Sequence, residues 1–317
     1  VTGTTLERDR RRVSSPPPSV AFERRRRGMR IPPPIVLALV LVPFLVEAVG
    51  VFWPAFQGVA LSFLHWNGIG PARNVGVQNF VDLFSDPIFI TALKNTAIWI
   101  VLFGGISFLA GLGVAMLFQS ERRGVGIYRT ALFLPIVFSL VVTALIWGTF
   151  FQPNGVLNNA LDAVGLHSWT RVWLGDSNTA LYVVIVAALW REIGYVMVLF
   201  IAGLKALDPS VQEAARVDGA TTWQRFWHVT FPQMRSVNLV VLSVLIIDSL
   251  RSFDIVWAMT KGGPYHSTEL LSTYMFSTAF ETHALGYASA IAVVIFILAI
   301  AVIVSYLVRA LSEEKES

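Results

Sequence analysis

Five polar side chains crowd one apolar stretch. Between Ser236 and Met259 stand Asp248, Ser249, Arg251, Ser252 and Asp254. A second apolar stretch, Thr179–Leu204, is interrupted by Arg191 and Glu192, with Trp190 and Tyr195 close by. Ionisable groups inside such stretches are costly to bury, so each is a candidate for function. Carboxylates, a guanidinium and hydroxyls can bond the hydroxyls of a polar solute, and an aromatic ring can stack on its apolar face. On a continuous helix Asp248, Arg251 and Ser252, three and four apart, share one face. The alternative role is structural, with Asp248 and Arg251 pairing with each other or with the second stretch to lock the elements together. Asp248 and Asp254 could also carry protons, as in an ion-coupled secondary transporter. That class usually shows internal repeats and more spans, and no repeat is visible here.

Catalytic chemistry finds no support. There is no G-x-x-x-x-G-K-[ST] loop to cradle nucleotide phosphates and no H-E-x-x-H pair to hold a metal. With no Cys, thiol nucleophiles, thiolate metal sites and disulfides are excluded. Gly262-Gly263-Pro264 reads as a turn. No clustered nucleophile or acid–base set marks a membrane enzyme. The expectation is a chain with no catalytic, metal or cofactor-binding residues.

The elements that must position these residues follow from composition. Of 317 residues 55% are hydrophobic and 14% charged, and the mean hydropathy is +0.64. Soluble domains carry roughly a quarter of their residues as charges. So few cannot coat a soluble globule, and so much apolar mass excludes a disordered chain. An all-α membrane bundle remains. A spanning helix needs about 20 apolar residues, and six stretches qualify: Ile35–Leu64, Lys94–Glu121, Arg129–Phe151, Thr179–Leu204, Ser236–Met259 and Gly286–Val308. In the second, Ser107, Gly111 and Ala115 form a small-residue stripe that lets a neighbouring helix come close.

Charge orients the bundle. Residues 1–34 read as a disordered cytoplasmic tail, with two Pro triplets and Arg24–Arg27 just before the first span. Beside a span, this Arg run reads as a topological anchor attracted to anionic lipid rather than as a nucleic-acid site. The tail and first run are similar to a secretory signal, but the run is too long and lacks a clear cleavage site. With the N-terminus inside, eighteen Lys and Arg fall on the cytoplasmic side and four outside. The positive-inside rule then puts both termini in the cytoplasm, with 311–317 as a short C-terminal tail.

The segment 207–232 is longer than a connection requires. Asp208 before Pro209 is a helix start, and Ser210 with Glu213 is an alternative capping box. Gly219 falls where a left-handed stop is needed. Thr221 with Gln224 opens a second short helix, in which Trp223, Phe226, Trp227 and Thr230 recur at helical spacing before Pro232. The expected product is a two-helix hairpin on the cytoplasmic face. Its first helix offers small Ala214 and Ala215 flanked by Glu213, Arg216 and Asp218, a shallow knob for a cleft. A hairpin lying on lipid would show a broad Lys-rich face, so a protein partner is favoured.

Glu213-Ala214-Ala215-Arg216-Val217-Asp218-Gly219-Ala220, with Phe226 and Phe231-Pro232, resembles the EAA motif of permease subunits of ATP-binding-cassette importers. Val75–Phe80, Arg129–Pro135, Gly155–Asn158, Phe253-Asp254, Thr260–Pro264 and Gly286–Ile291 resemble its carbohydrate branch, in particular the first permease of maltose- or glycerol-3-phosphate-type systems. The resemblance spans about 35–310, the expected permease domain. It departs at Gln233-Met234, where the family often has aliphatic residues. It implies that Glu213, Ala214, Ala215, Asp218 and Gly219 dock on an ATP-binding subunit. It also implies that cargo passes near Tyr195, Ser249 and Ser252, beside Glu192, Asp248, Arg251 and Asp254. The implied partners are a second homologous permease, two ATP-binding subunits that hold ATP and Mg, and an extracytoplasmic solute-binding protein. The implied location is a bacterial or archaeal cell membrane, and the implied cargo a carbohydrate or polyol.

Overall fold

The computed structural model describes residues 33–119 and 123–314. The expected tail 1–34 lies almost wholly outside them, as do 315–317. The exception is a correction at one boundary. Pro33 and Pro34, assigned to the tail, open helix α1 (Pro33–Glu47). Proline is tolerated there because the first turn of a helix needs no N–H donors. Two compact units are present, 1–52 and 53–317. The first contains α1 and a π-helical turn, Ala48–Phe52.

The second unit starts with α2 (Trp53–Leu61) and a short antiparallel pair, β1 (Leu64–His65) and β2 (Arg73–Asn74), with Leu64 opposite Asn74. Then come α3 (Gln78–Ser85) and α4 (Pro87–Trp99), which runs through a π-helical turn into α5 (Gly105–Phe118). α6 (Val125–Phe133), α7 (Leu140–Phe150) and α8 (Val156–Ala163) lead to the long α9 (Ala180–Lys205). The segment after it holds α10 (Pro209–Val217), α11 (Thr222–Arg225), a π-helical turn Phe226–Thr230 and α12 (Phe231–Gln233). α13 (Arg235–Leu250), α14 (Asp254–Met259), α15 (Leu271–Phe280) and α16 (Leu285–Glu314) complete the chain.

The architecture is all-α and polytopic. Leu41–Leu61, Pro87–Phe118, Ala180–Lys205 and Leu285–Ser305 are each long and apolar enough to cross a membrane. The count reaches six if each of two bent pairs is one span: Val125–Val137 with Leu140–Phe150, and Thr222–Gln233 with Arg235–Leu250.

Two expected spans are not the straight helices their composition suggested. Arg129–Phe151 is bent by 100°. Pro135 donates no backbone hydrogen bond and disfavours helix at the residue before it. α6 therefore ends at Phe133, Leu134–Val137 tightens to a 3-10 turn, and Phe138 is extended. The Ser139 side chain then caps α7 by accepting from the Val142 N–H. Ser236–Met259 breaks after Leu250. There Ser249 Oγ donates to the Leu245 carbonyl at 2.6 Å and Ser252 Oγ to the Asp248 carbonyl at 2.9 Å. Such back-bonding bends helices, and the Ser272 hydroxyl takes the freed Ser252 carbonyl.

α9 is the axle of the second unit. Val184, Met197 and Phe200 on it are fully buried, among Trp99, Ala115 and Leu245. The small-residue stripe lies against it: Ser107, Gly111 and Ala115 are buried, and a Cβ at Gly111 would stand 2.5 Å from Val196 Cγ1. Close approach here serves van der Waals packing, the main attraction between helices in lipid. A smaller cluster joins α3 and α4 to α15 and α16 through Leu83, Phe89, Leu271 and Ile291. Polar pins tie the same elements. Asn95 Nδ2 donates to the carbonyls of Ser267 and Glu269, and Thr96 Oγ1 accepts from the Leu271 N–H. Asp86 accepts from the hydroxyls of Tyr274 and Tyr287.

Candidate functional site

The caps and the turn of the hairpin are short-range, and one longer bond, from Thr230 Oγ1 to Gln212 Oε1 at 3.3 Å, ties its two limbs. Asp208 Oδ1 accepts from the Ser210 N–H at 2.8 Å and Pro209 takes the first helical position, so the start is Asp208 and the Ser210–Glu213 capping box does not form. That hydrogen bond holds the exposed Asp208 carboxyl below its ordinary range. At the far end the Gly219 N–H donates to the Arg216 carbonyl and the Ala220 N–H to the Ala215 carbonyl, both at 3.1 Å. This is a Schellman closure, which needs a left-handed residue, and Gly219 has φ +79°. Thr221 and Gln224 then form the expected capping box, with bonds of 2.9 and 3.3 Å.

The resulting elbow presents Glu213, Ala214, Asp218 and Gly219 to the surroundings, with Ala215 half-buried. Val217, 86% exposed at the tip, was not singled out from sequence. An apolar side chain beside a left-handed glycine was its only signal. Behind the elbow a cavity of about 510 Å³ is lined by Glu213, Arg216 and Arg225, among others.

The second constellation is a cavity of about 300 Å³ lined by Arg191, Glu192, Asp248, Arg251, Ser252 and Asp254. α9 supplies the first two, the end of α13 the third, and the break Arg251–Phe253 and the start of α14 the rest. These groups meet because the helix breaks, not because they share a helix face. Arg251 is the C-cap of α13, and Asp254 lies in the first turn of α14, where the helix dipole favours an acid. Phe253 is held by Phe276 of α15, ring centroids 4.8 Å apart.

Two of the expected pathway residues do not line this cavity. Ser249 is buried and its hydroxyl is spent on Leu245, and Tyr195 packs half-buried against the main core. Trp99 and Phe103, which do line it, carry no sequence signal beyond being apolar. Arg191 Nε and Glu192 Oε1 are buried there with no hydrogen-bond partner. Among the described residues no ion pair joins Asp248, Arg251, Asp254, Arg191 or Glu192. Polar atoms left unbonded in a cavity are what a polar ligand or water satisfies.

The two constellations share their supports. Glu192 stands 13 residues before Lys205 at the end of α9, and Asp248 13 residues after Arg235 at the start of α13. At 1.5 Å per residue, each cavity group is about 20 Å from the end of its helix that faces the hairpin segment.

A polytopic bundle enclosing polar side chains among its spans is the architecture of a solute permease. The comparisons with known proteins agree. The family model for "Binding-protein-dependent transport system inner membrane component" matches residues 28–315. The chain belongs to that family and is a multi-pass inner-membrane transport subunit. This removes the ion-coupled secondary transporter that Asp248 and Asp254 left open. A probable ABC transporter permease protein of Bacillus subtilis, YurN, is 36% identical over 84% of this chain and 93% of its own. The lactose transport permease LacF of Rhizobium radiobacter is 35% identical over 79% and 85%. The fold is shared with a bacterial ABC transporter that imports alginate, with a TM-score of 0.76 at 23% identity over 86% of this chain and 93% of that one.

Proposed function

We propose that this chain is one half of the transmembrane pathway of an ATP-binding-cassette importer for a carbohydrate, oligosaccharide or polyol. Four related permeases bear on the cargo, serving lactose, diacetylchitobiose, starch degradation products and osmoprotective compounds. The observation that carries the reading is the exposed, Schellman-closed elbow Glu213–Gly219, in the segment between the two helices, α9 and α13, that line the polar cavity.

In this reading the elbow seats in a cleft of a cytoplasmic ATP-binding subunit. Glu213 meets a basic residue there, Ala214 and Ala215 allow close approach, and Gly219 with Asp218 shapes the turn. Two such subunits bind ATP and Mg, and this chain binds neither. A second, homologous permease completes the pathway, and an extracytoplasmic binding protein delivers the solute. Both termini face the cytoplasm in this reading, which the Lys and Arg distribution supports. Closure of the ATPase pair moves the elbow, and α9 and α13 carry the motion to the cavity, which changes its side of access. The cavity's two Arg, three acids and Ser252 exchange hydrogen bonds with solute hydroxyls in place of water.

Uptake into vesicles holding the assembled complex, with ATP inside and no ion gradient, tests this. Accumulation that needs ATP and the binding protein is expected. Accumulation driven by a proton gradient without ATP would overturn it.

A further inference from the structure

We propose that the face formed by Trp223, Trp227 and Phe231 rests on the surface of the lipid bilayer, making the second limb of the hairpin a membrane-interface anchor. The angle is the first support. Thr222–Gln233 meets Arg235–Leu250 at 72°. Spanning helices tilt on average about 20° from the bilayer normal, so this limb runs nearer to the membrane plane than to its normal.

Exposure is the second. Trp223 is 70% exposed and Trp227 45%, one turn apart with ring centroids separated by 5.6 Å. Phe226 is buried beneath them. Trp is enriched where apolar and wet regions of a membrane meet, because its ring is apolar and its N–H is not.

Continuity is the third. The Trp227 ring lies 5.3 Å from that of Phe231. Phe231 in turn lines an apolar groove of about 730 Å³ with Phe108, Leu109, Leu239 and Leu242. α5 and α13, which form that groove, are apolar helices of the bundle. The aromatic patch is thus the rim of a bilayer-facing surface.

Charge is the fourth. From Gly219 to Ile247 there is no Asp or Glu, and Arg225, His228 and Arg235 are the only ionisable groups. The limb therefore carries no acid to repel anionic headgroups, and interfacial helices sit about 5–10 Å into the headgroup boundary. The first limb differs, with Glu213 and Asp218 against one Arg. One limb is therefore shaped for lipid and the other for a partner protein, with Gly219 between them. The inference requires only that the chain is embedded in a membrane, whatever docks on α10.

The absence of Cys makes single-site labelling clean. The full chain, purified with its partner subunits, is placed in nanodiscs of phosphatidylethanolamine and phosphatidylglycerol. A nitroxide on Trp223→Cys is read for access to oxygen, which concentrates in bilayers, against a water-soluble nickel chelate. Val240→Cys sets the bilayer end of the scale. Val217→Cys, measured without partner subunits, sets the aqueous end. The label at 223 should shift by more than half of that interval toward the bilayer. Trp227→Cys, with Trp223 intact, gives the same reading if the first variant folds poorly. A reading at the aqueous end overturns the anchor, as does shielding from both reagents, which would mean that a protein covers the face.

Discussion

The elbow and the polar cavity hang on the same two helices and are held in opposite ways. The bonds that cap and turn the elbow join residues within five positions of each other: Asp208 to Ser210, Ala220 to Ala215, Thr221 to Gln224; one bond, Thr230 to Gln212, reaches across the limbs. The cavity gathers α4, α9, the α13–α14 break and, through Phe253, α15. The elbow exposes its polar groups and satisfies its backbone. The cavity exposes Asp248, Arg251 and Asp254, buries Glu192, and leaves Arg191 Nε and Glu192 Oε1 unbonded.

The largest effect expected on this contrast comes from Gly219→Val. A left-handed residue with a β-carbon costs roughly 1–2 kcal/mol, and β-branching adds to that. The closure should open, and uptake should fall by about tenfold or more while solute binding stays unchanged, since 1.4 kcal/mol is already a factor of ten. No atom lies within 4 Å of a Cβ built there, so the requirement is conformational and not one of space. Gly219→Asn, which tolerates the same φ, should retain most of the uptake. Equal loss in Asn and Val would mean that the turn is not what matters.

Glu192→Gln sharpens the other side. Because Glu192 Oε1 has no protein partner, the change orphans no neighbour, and the melting temperature in detergent should stay within a few degrees, as for losses under about 1 kcal/mol. The uptake KM should rise by about fivefold, the value of one hydrogen bond to the solute. A melting temperature that drops while KM holds would make the charged cluster a lock and not a path.

Asp86 provides a pin of the cavity's kind, long-range in sequence, but outside both sites. Burial works against its ionisation, yet the Tyr274 hydroxyl, the Ile88 N–H and the Tyr287 hydroxyl outweigh it, and the carboxyl sits below its ordinary range. A carboxyl lowered on folding stabilises above its unfolded pKa, and that contribution is lost as pH falls through the folded value. Thermal stability should therefore weaken below about pH 4. The weakening should be smaller in Asp86→Asn, which keeps the cap but does not titrate.

The same contrast decides what could be read from the chain. The elbow was legible down to its caps, because Asp208-Pro209, Gly219 and Thr221–Gln224 act over a few residues. The polar residues of the cavity were legible as costly groups, but not their arrangement. Placing Asp248, Arg251 and Ser252 on one face assumed an unbroken helix, and the break after Leu250 depends in part on Ser272, 20 residues away. Hydropathy counted the apolar stretches and passed over the bend at Pro135, since a window average does not register one missing N–H. Ser249 and Tyr195 were named for their chemistry, but burial and a backbone partner decide which hydroxyls face a cavity.

The smallest expected effect tests whether the elbow is as self-contained as its bonds suggest. Thr221→Ala removes the hydroxyl that accepts from the Gln224 N–H, which costs about 1 kcal/mol at an N-cap. The loss should stay local. Amide exchange should quicken by about fivefold over 221–228 and remain unchanged over 209–218, whose own cap is Asp208 and whose closure is Gly219. Uptake should fall by less than half. Lowering the pH through the depressed Asp208 pKa should produce the reverse pattern, quickening 209–218 and sparing the second limb. If either change loosens both limbs together, the hairpin is one cooperative unit, and Gly219 is a rigid corner rather than the joint between a docking limb and an anchoring one.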